Sequence, residues 1–415
     1  MRTPLGPVAE LNPAPRLLMG PGPVNADPRV LRAMSAALLG QFDPQFRAYM
    51  RETMALYRAA FETTNEWTLV LDGTARSAIE AVMVSVVSPG DRVLVGNFGR
   101  FGQLQIEIAR RVGADLRTVD APWGAVLDPA QVEAAIREHR PRLLALCHGE
   151  TSTTMLQPLA EICALCRQHD VLLQVDATAS FGGTALPVDT WGIDCATAGL
   201  QKCFAGPPGA APLTLSDRMA AVIFRRHHLE EGLRPADYRA PDGAIIRSTY
   251  FDLAMVLDYW SEQGLNHHTE ATSMLYAARE CARIFLAEGP ERVVRRHAQA
   301  GRALAAGIEA MGLQLFGDRR HALPHISGVC VPAGVNAERV RGAMLADFGV
   351  EIGSAFGPLK GKIWRIGTMG VNARKDAVVV TLAALESALS AEGVPLPRGL
   401  GIDAALAVYR ETEGT

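Results

Sequence analysis

Lysine is nearly missing from this chain. It has four lysines, Lys202, Lys360, Lys362 and Lys375, against 37 arginines. Lys202 alone precedes position 360, in the apolar and glycine-rich stretch A-T-A-G-L-Q-K-C-F-A-G. An amine kept where arginine has taken almost every other basic position points to chemistry that a permanently charged guanidinium cannot do. Other absences narrow the function classes. No apolar run is long enough to span a bilayer, and the start, M-R-T-P-L-G-P-V-A-E, lacks the apolar core of a signal peptide, so a cytoplasmic protein is expected. A formal charge of −3 with no basic stripe argues against nucleic acid and anionic membranes as partners and favours a small metabolite. Neither a Walker sequence nor G-x-G-x-x-G occurs, which removes direct support for a bound NTP or NAD. The seven cysteines are odd in number and scattered, as expected of reduced thiols. Cys163 and Cys166 form a C-x-x-C inside a helical period with no second pair at zinc spacing, so core packing is expected there and no metal site.

What is present is a large apolar fraction, 48%, enough for two domains. From about 67 to 215, short β-branched runs at 69–71, 92–95, 143–147, 172–175 and 195–198 alternate with amphipathic stretches such as 75–87 and 159–169. That alternation predicts an α/β fold with a mostly parallel sheet built from βαβ units, whose ligands bind beyond the carboxyl ends of the strands. After Pro290 the pattern becomes a helix at 291–311, a strand-like run at 326–332, another helix and K-I-W-R-I-G, a smaller α+β unit. The expected organisation is an extended, proline- and glycine-rich segment at 1–28, a large domain at 29–289 and a small domain at 290–415. A short helix-like stretch, D-A-A-L-A-V-Y-R, closes the chain with no assigned purpose.

The strand ends carry the chemistry. D-G-T-A-R-S, beginning at Asp72, is a glycine turn entering a helix, where free amides and the dipole form a phosphate site or an ordinary cap. H-G-E-T-S-T puts Glu150, Thr151 and Ser152 at another strand end, and D-A-T-A-S puts Asp176 at a third. A carboxylate ending a buried strand is costly unless a cation pairs with it. Lys202 lies 26 residues after Asp176, one βα unit plus a strand, so the two converge at one sheet edge. An aspartate for a ring nitrogen and a lysine for a ring aldehyde are what pyridoxal 5'-phosphate requires.

The motifs G-P-G-P-V-N (20–25), H-G-E-T-S-T (148–153), V-D-A-T-A-S-F-G-G (175–183), G-L-Q-K-C (199–203) and W-R-I-G (364–367), in this order, resemble the class V aminotransferases, in particular the branch acting on alanine or serine with glyoxylate. The resemblance implies the fold type I architecture of pyridoxal phosphate enzymes, with a large domain carrying a mostly parallel seven-stranded sheet. It also implies a homodimer with shared active sites. By motif, it makes Lys202 the covalent anchor and proton shuttle and Asp176 the partner of the ring nitrogen, with Ser152 on the ring hydroxyl side. Thr74, Ala75 and Arg76 would cradle the phosphate, with Gln201 and the partner subunit's Thr269 as further ligands. Thr178 and His268 would lie beside the cofactor, Phe101 would stack on the ring, and Arg365 would clamp the substrate carboxylate.

Two positions depart from the alanine and serine enzymes. Gln41 and Asn266 each place a carboxamide where relatives carry other side chains, and a carboxamide complements a ureido group better than a methyl. This pair resembles the purine-catabolic ureidoglycine–glyoxylate branch, in which the amino group of (S)-ureidoglycine passes to glyoxylate. Alanine or serine as donor, and a lyase or desulfurase of the same class, remain the alternative readings. A desulfurase would call for a mobile cysteine, whereas Cys330 lies in a strand-like run; a regulator would call for a DNA-binding domain the chain has no room for.

Overall fold

The computed structural model describes residues 8–239 and 244–413; the first seven residues, on which the reading of the chain's start partly rests, lie outside the described residues. Seven strands form the central sheet, β1 (Trp67–Asp72), β2 (Arg92–Asn97), β3 (Asp115–Asp120), β4 (Leu143–Cys147), β5 (Leu172–Asp176), β6 (Cys195–Thr197) and β7 (Ala210–Leu215). Their order is β1-β7-β6-β5-β4-β2-β3, with β7 antiparallel to both neighbours and the other pairings parallel. The chain is therefore an α/β protein of the expected class. All five expected runs are strands, with ends within two residues of the expectation on the strands' carboxyl side.

β3 and β7 escape sequence reading for physical reasons. β3 is an edge strand, D-L-R-T-V-D, mostly exposed and without an apolar run. β7, A-A-P-L-T-L, carries Pro212, which argues against an internal strand because it cannot donate to the ladder. Its ladder to β6 begins only at Leu213, and the Pro212 carbonyl accepts the Ala198 amide at 2.8 Å, so the missing N–H leaves no pairing broken there.

The helices following the strands bury their apolar faces on the sheet. Helix Ala75–Val86 starts directly after β1 and buries Ala78, Ile79, Val82, Met83 and Val86. Helix Ala160–Gln168 buries Cys163 and Cys166, and burial pushes the Cys163 thiol up to about 12, which makes it inert core sulfur. All seven cysteines are free.

A second apolar cluster gathers around the antiparallel pair Ile326–Cys330 and Ile363–Gly367 and the helices Pro290–Ala310, Ala337–Phe348, Lys375–Ala391 and Leu400–Glu413. Trp364 is fully buried there and donates from Nε1 to the Ala337 carbonyl at 3.0 Å. The closing helix-like stretch is the helix Leu400–Glu413, which buries Ala405 and Tyr409 in this cluster.

The early segment ties the two clusters together. Leu17–Leu18 adds a parallel strand beside Val350–Glu351, and Met19 enters the second cluster. The chain then returns to the sheet, where the Val24 amide donates to the Gln201 carbonyl (3.1 Å) and that of Asp27 to the Ala205 carbonyl (2.8 Å). No helix among the described residues is long and apolar enough to cross a membrane.

Candidate active site

A cavity of about 210 Å³ opens at the carboxyl ends of the sheet strands. Thr74, Ala75 and Arg76 line it from the turn after β1, Gly149 and Thr151 from beyond β4, Asp176, Thr178 and Ala179 from the end of β5, and Gln201 and Lys202 from beyond β6. Phe101, at the start of helix Arg100–Arg111, closes one side. β5 and β6 pair with Asp176 opposite Thr197, so the residues beyond each strand converge, as the spacing of Asp176 and Lys202 predicts.

Lys202 is buried, and its Nζ donates to the Pro21 carbonyl from the returning N-terminal segment. Gly22 makes that approach possible: it has φ +96°, and a Cβ there would lie 2.4 Å from the Lys202 Cδ. Behind Lys202, Phe204 stacks on Phe181 (4.6 Å) and Phe285 (4.7 Å), which fixes the loop. Burial, with the Arg365 charge adding to it, pushes the Lys202 amine down to about 8, while Asp176 opposes the shift.

Asp176 accepts the Thr178 amide at 2.9 Å and faces the Cys147 thiol at 3.5 Å. Burial raises its pKa, against those hydrogen bonds and Lys202. Arg365 projects from Ile363–Gly367. It donates from Nε to the Ser354 carbonyl (2.7 Å) and from Nη1 to the Thr151 carbonyl (3.1 Å), with its guanidinium 4.6 Å from the Phe356 ring centre. Burial lowers it to about 10, and no carboxylate among the described residues forms an ion pair with it. It borders the cavity through Thr151.

At the opposite end, Thr74 caps helix Ala75–Val86 without a side-chain hydrogen bond, and the Ala75 and Arg76 amides meet no acceptor among the described residues. These are the free donors of a helix N-terminus, where an anion is favoured. Gly73, at φ +109°, makes the turn.

The remaining sequence-predicted residues stand elsewhere. Ser152 does not line the cavity: its Oγ donates to Glu150 Oε1 (2.6 Å) and accepts the Arg100 amide (2.9 Å). Glu150 also accepts the amides of Phe101 (2.8 Å) and Gly102 (3.3 Å), so Ser152 and Glu150 together cap the helix that presents Phe101. Only a glycine fits at 99, where a Cβ would lie 2.4 Å from the Glu150 Cδ. Gln41, Asn266, His268 and Thr269 are also absent from the cavity of their own subunit. Gln41 donates from Nε2 to Asn266 Oδ1 at 2.9 Å, which brings the two carboxamides together across 225 residues of sequence. Asn266 and Thr269 are exposed. His268 meets Asp72 (3.2 Å) and Glu270 (3.7 Å), a grouping with three potential metal-ligating atoms within 4.8 Å of one another. Sequence reading missed the capping role of Glu150, the closure by Pro21 and Gly22, and this grouping. The proximity of G-P-G-P to Lys202 had no local signal, whereas a glutamate next to glycine at a strand end was already a hint.

Several groups at the cavity lack partners in the protein. Gln201 Oε1 and Thr178 Oγ1 are buried without a hydrogen bond, the helix amides are free, and Arg365 donates from only two of its nitrogens to the protein. A ring bearing a phosphate at one end and a basic nitrogen at the other matches this set: anion donors at 74–76, a carboxylate at 176 and an amine at 202.

The family model of aminotransferase class V matches residues 30–358. Over 396 residues, 95% of each chain, the protein is 49% identical to (S)-ureidoglycine–glyoxylate transaminase of Bacillus subtilis (strain 168). It is 35% identical over 379 residues to alanine–glyoxylate aminotransferase of Drosophila melanogaster, covering 90% of this chain and 92% of that one. The crystal structure of ureidoglycine–glyoxylate aminotransferase from Bacillus subtilis superposes with a TM-score of 0.91 at 48% identity, over 97% of this chain and 100% of the other. On this evidence the chain is an aminotransferase, a member of the class V family.

Proposed function

We propose that the protein transfers the amino group of (S)-ureidoglycine to glyoxylate, giving oxalurate and glycine. The observation that carries the donor assignment is the Gln41–Asn266 pair. Its mutual hydrogen bond leaves Gln41 Oε1 without a partner and both Asn266 amide protons unspent, so a donor and an acceptor are offered together. A ureido group is complementary to both; a methyl or hydroxymethyl side chain would leave them unpaired. The 49% identity to the Bacillus subtilis ureidoglycine enzyme supports the same reading.

The cofactor is pyridoxal phosphate. When bound, it supplies an aldehyde for the donor's amine and a ring that takes up the electron pair left at Cα. Thr74, Ala75, Arg76 and Gln201 would hold its phosphate, Asp176 its ring nitrogen, and Phe101 and Thr178 would border the ring. Lys202 would anchor it and, once freed, move a proton from the donor's Cα. A depressed pKa suits an amine that must give and take a proton near neutrality. Arg365 would take the donor carboxylate in the two-pronged geometry of a guanidinium. The exposure of Asn266 and Thr269 and their distance from their own subunit's cavity support a homodimer in which each segment 266–269 completes the neighbouring site, with His268 holding that segment in place. We place the division between large and small units at 290 and the enzyme in the cytoplasm. Burial raises the pKa of Cys330, which lies within the strand Ile326–Cys330, an arrangement that supports no desulfurase chemistry.

The test is donor selectivity in Gln41→Ala and Asn266→Ala. Each is expected to lower kcat/KM for ureidoglycine by about 10- to 100-fold, with alanine turnover changed by less than about threefold. Equal losses with both donors would remove the pair from donor recognition.

A further inference from the structure

Asp72, the last residue of β1, stands directly before the turn that enters helix Ala75–Val86. Its Oδ2 accepts the Ala271 amide at 3.2 Å and faces His268 Nε2 at 3.2 Å. Glu270 Oε2 lies 3.7 Å from the same nitrogen, and Glu270 is 5% exposed. That oxygen is buried and meets no hydrogen-bond donor. His267 Nε2 donates to the Thr249 carbonyl at 2.9 Å, so its Nδ1 accepts from His268 Nδ1 at 2.8 Å, and His268 turns its other nitrogen to the two carboxyl groups.

Two carboxylates this close in a buried setting do not both ionise. Burial and the Asp72 charge push the Glu270 carboxyl well above its usual range, with Arg47 opposing. A proton on the pair turns the orphaned Glu270 oxygen into a donor and satisfies both residues. The charged and titratable groups facing Glu270 are Asp72 at the end of β1, His268 on its own segment, Arg47 from helix Pro44–Ala60, Tyr259 from helix Leu253–Trp260, and Tyr250.

We propose that Asp72 and Glu270, sharing one proton, are positioning residues that fasten the segment carrying Asn266 and Thr269 to the strand end that opens the phosphate turn. The inference rests on the reading that this segment serves the partner's site. The latch then ties the cofactor turn of one site to the donor-recognising carboxamides of the other. Because the shared proton is lost as pH rises, the latch holds at neutral pH and loosens at alkaline pH.

The experiment measures pyridoxal phosphate affinity and donor preference of the holoenzyme and of Glu270→Gln and Glu270→Ala from about pH 7 to about pH 9.5. Glutamine mimics the protonated acid, so Glu270→Gln is expected within about threefold of wild type at neutral pH and free of the alkaline loss of affinity that wild type shows. Glu270→Ala is expected to bind the cofactor about tenfold more weakly and to lose preference for ureidoglycine over alanine by about tenfold. If Glu270→Ala does not fold, as judged by circular dichroism, the contrast between wild type and Glu270→Gln across pH decides alone. Identical behaviour of Glu270→Gln and wild type at alkaline pH, or a stoichiometric divalent ion in the purified holoenzyme, overturns the proposal. Asn266→Ala, run alongside, separates the two levels. Unchanged donor preference there overturns the underlying reading; a changed preference there with none in Glu270→Ala overturns the latch alone.

Discussion

Lys202 is held in a setting that changes its acidity rather than neutralising it with a close counter-ion. The amine sits under the Pro21 carbonyl and among buried atoms, and its pKa falls to about 8. The sign is that of burial: the neutral form is favoured, and Arg365 acts in the same direction. The rate at which apoprotein captures pyridoxal phosphate, followed by visible absorbance, is expected to rise with pH and reach half its plateau near 8. A half-plateau near 10, as for an exposed lysine, would contradict the account, as would capture by Lys202→Ala. Lys202 and Asp176 were legible in sequence because each chemical role is confined to one residue type at one strand end. Ser152 was misplaced because its hydroxyl serves helix Arg100–Arg111 through Glu150, a partnership between segments 50 residues apart. Asp72 and Glu270 were unreadable as a pair for the same reason, since nearly 200 residues separate them.

At the scale of elements, the strands that follow the βαβ rule carry their signal in the apolar run and were read directly. β3 and β7 do not, one because an edge strand buries little and the other because a proline interrupts it. Their loss does not blur the site, since every cavity-lining residue comes from the turns after β1, β4, β5 and β6 or from the start of helix Arg100–Arg111. The N-terminal segment was read as extended, which Leu17–Leu18 bears out by pairing with Val350–Glu351. Its contact with Lys202 could not be read, because an extended proline-rich stretch has no periodicity to say what it lies against. The C-terminal helix shows the reverse case: its period was visible, and its purpose became clear only from the face it buries against Pro290–Ala310. There a Cβ on Gly307 would approach the Gly401 carbonyl to 2.7 Å.

Across the whole molecule, three buried histidines sit where the sheet meets the second cluster. His325 donates from Nε2 to the Ala179 carbonyl (2.8 Å), His297 accepts the Gly370 amide (2.9 Å), and His148 follows β4. Burial lowers all three, His148 to about 3, His325 to about 4 and His297 well below its usual value. Their folded pKa values lie below that of the unfolded chain, about 6.5, so the unfolded chain binds more protons between those limits. The stability they confer is complete above about 6.5 and is lost as pH falls toward 4, by about 3 kcal/mol from His325 alone. Urea unfolding at about pH 7.5 and about pH 5 is expected to show the loss, and equal midpoints would contradict it.

The same architecture sets a buried arginine, an acid-tuned lysine and a pair of carboxamides around one amino-transfer reaction, and the identity of the donor is the claim on which the rest converges. Steady-state kcat/KM with glyoxylate as acceptor, for freshly generated (S)-ureidoglycine against alanine and serine, measures it directly. The account predicts that ureidoglycine exceeds both by at least about tenfold. Equal or greater values for alanine or serine would contradict it.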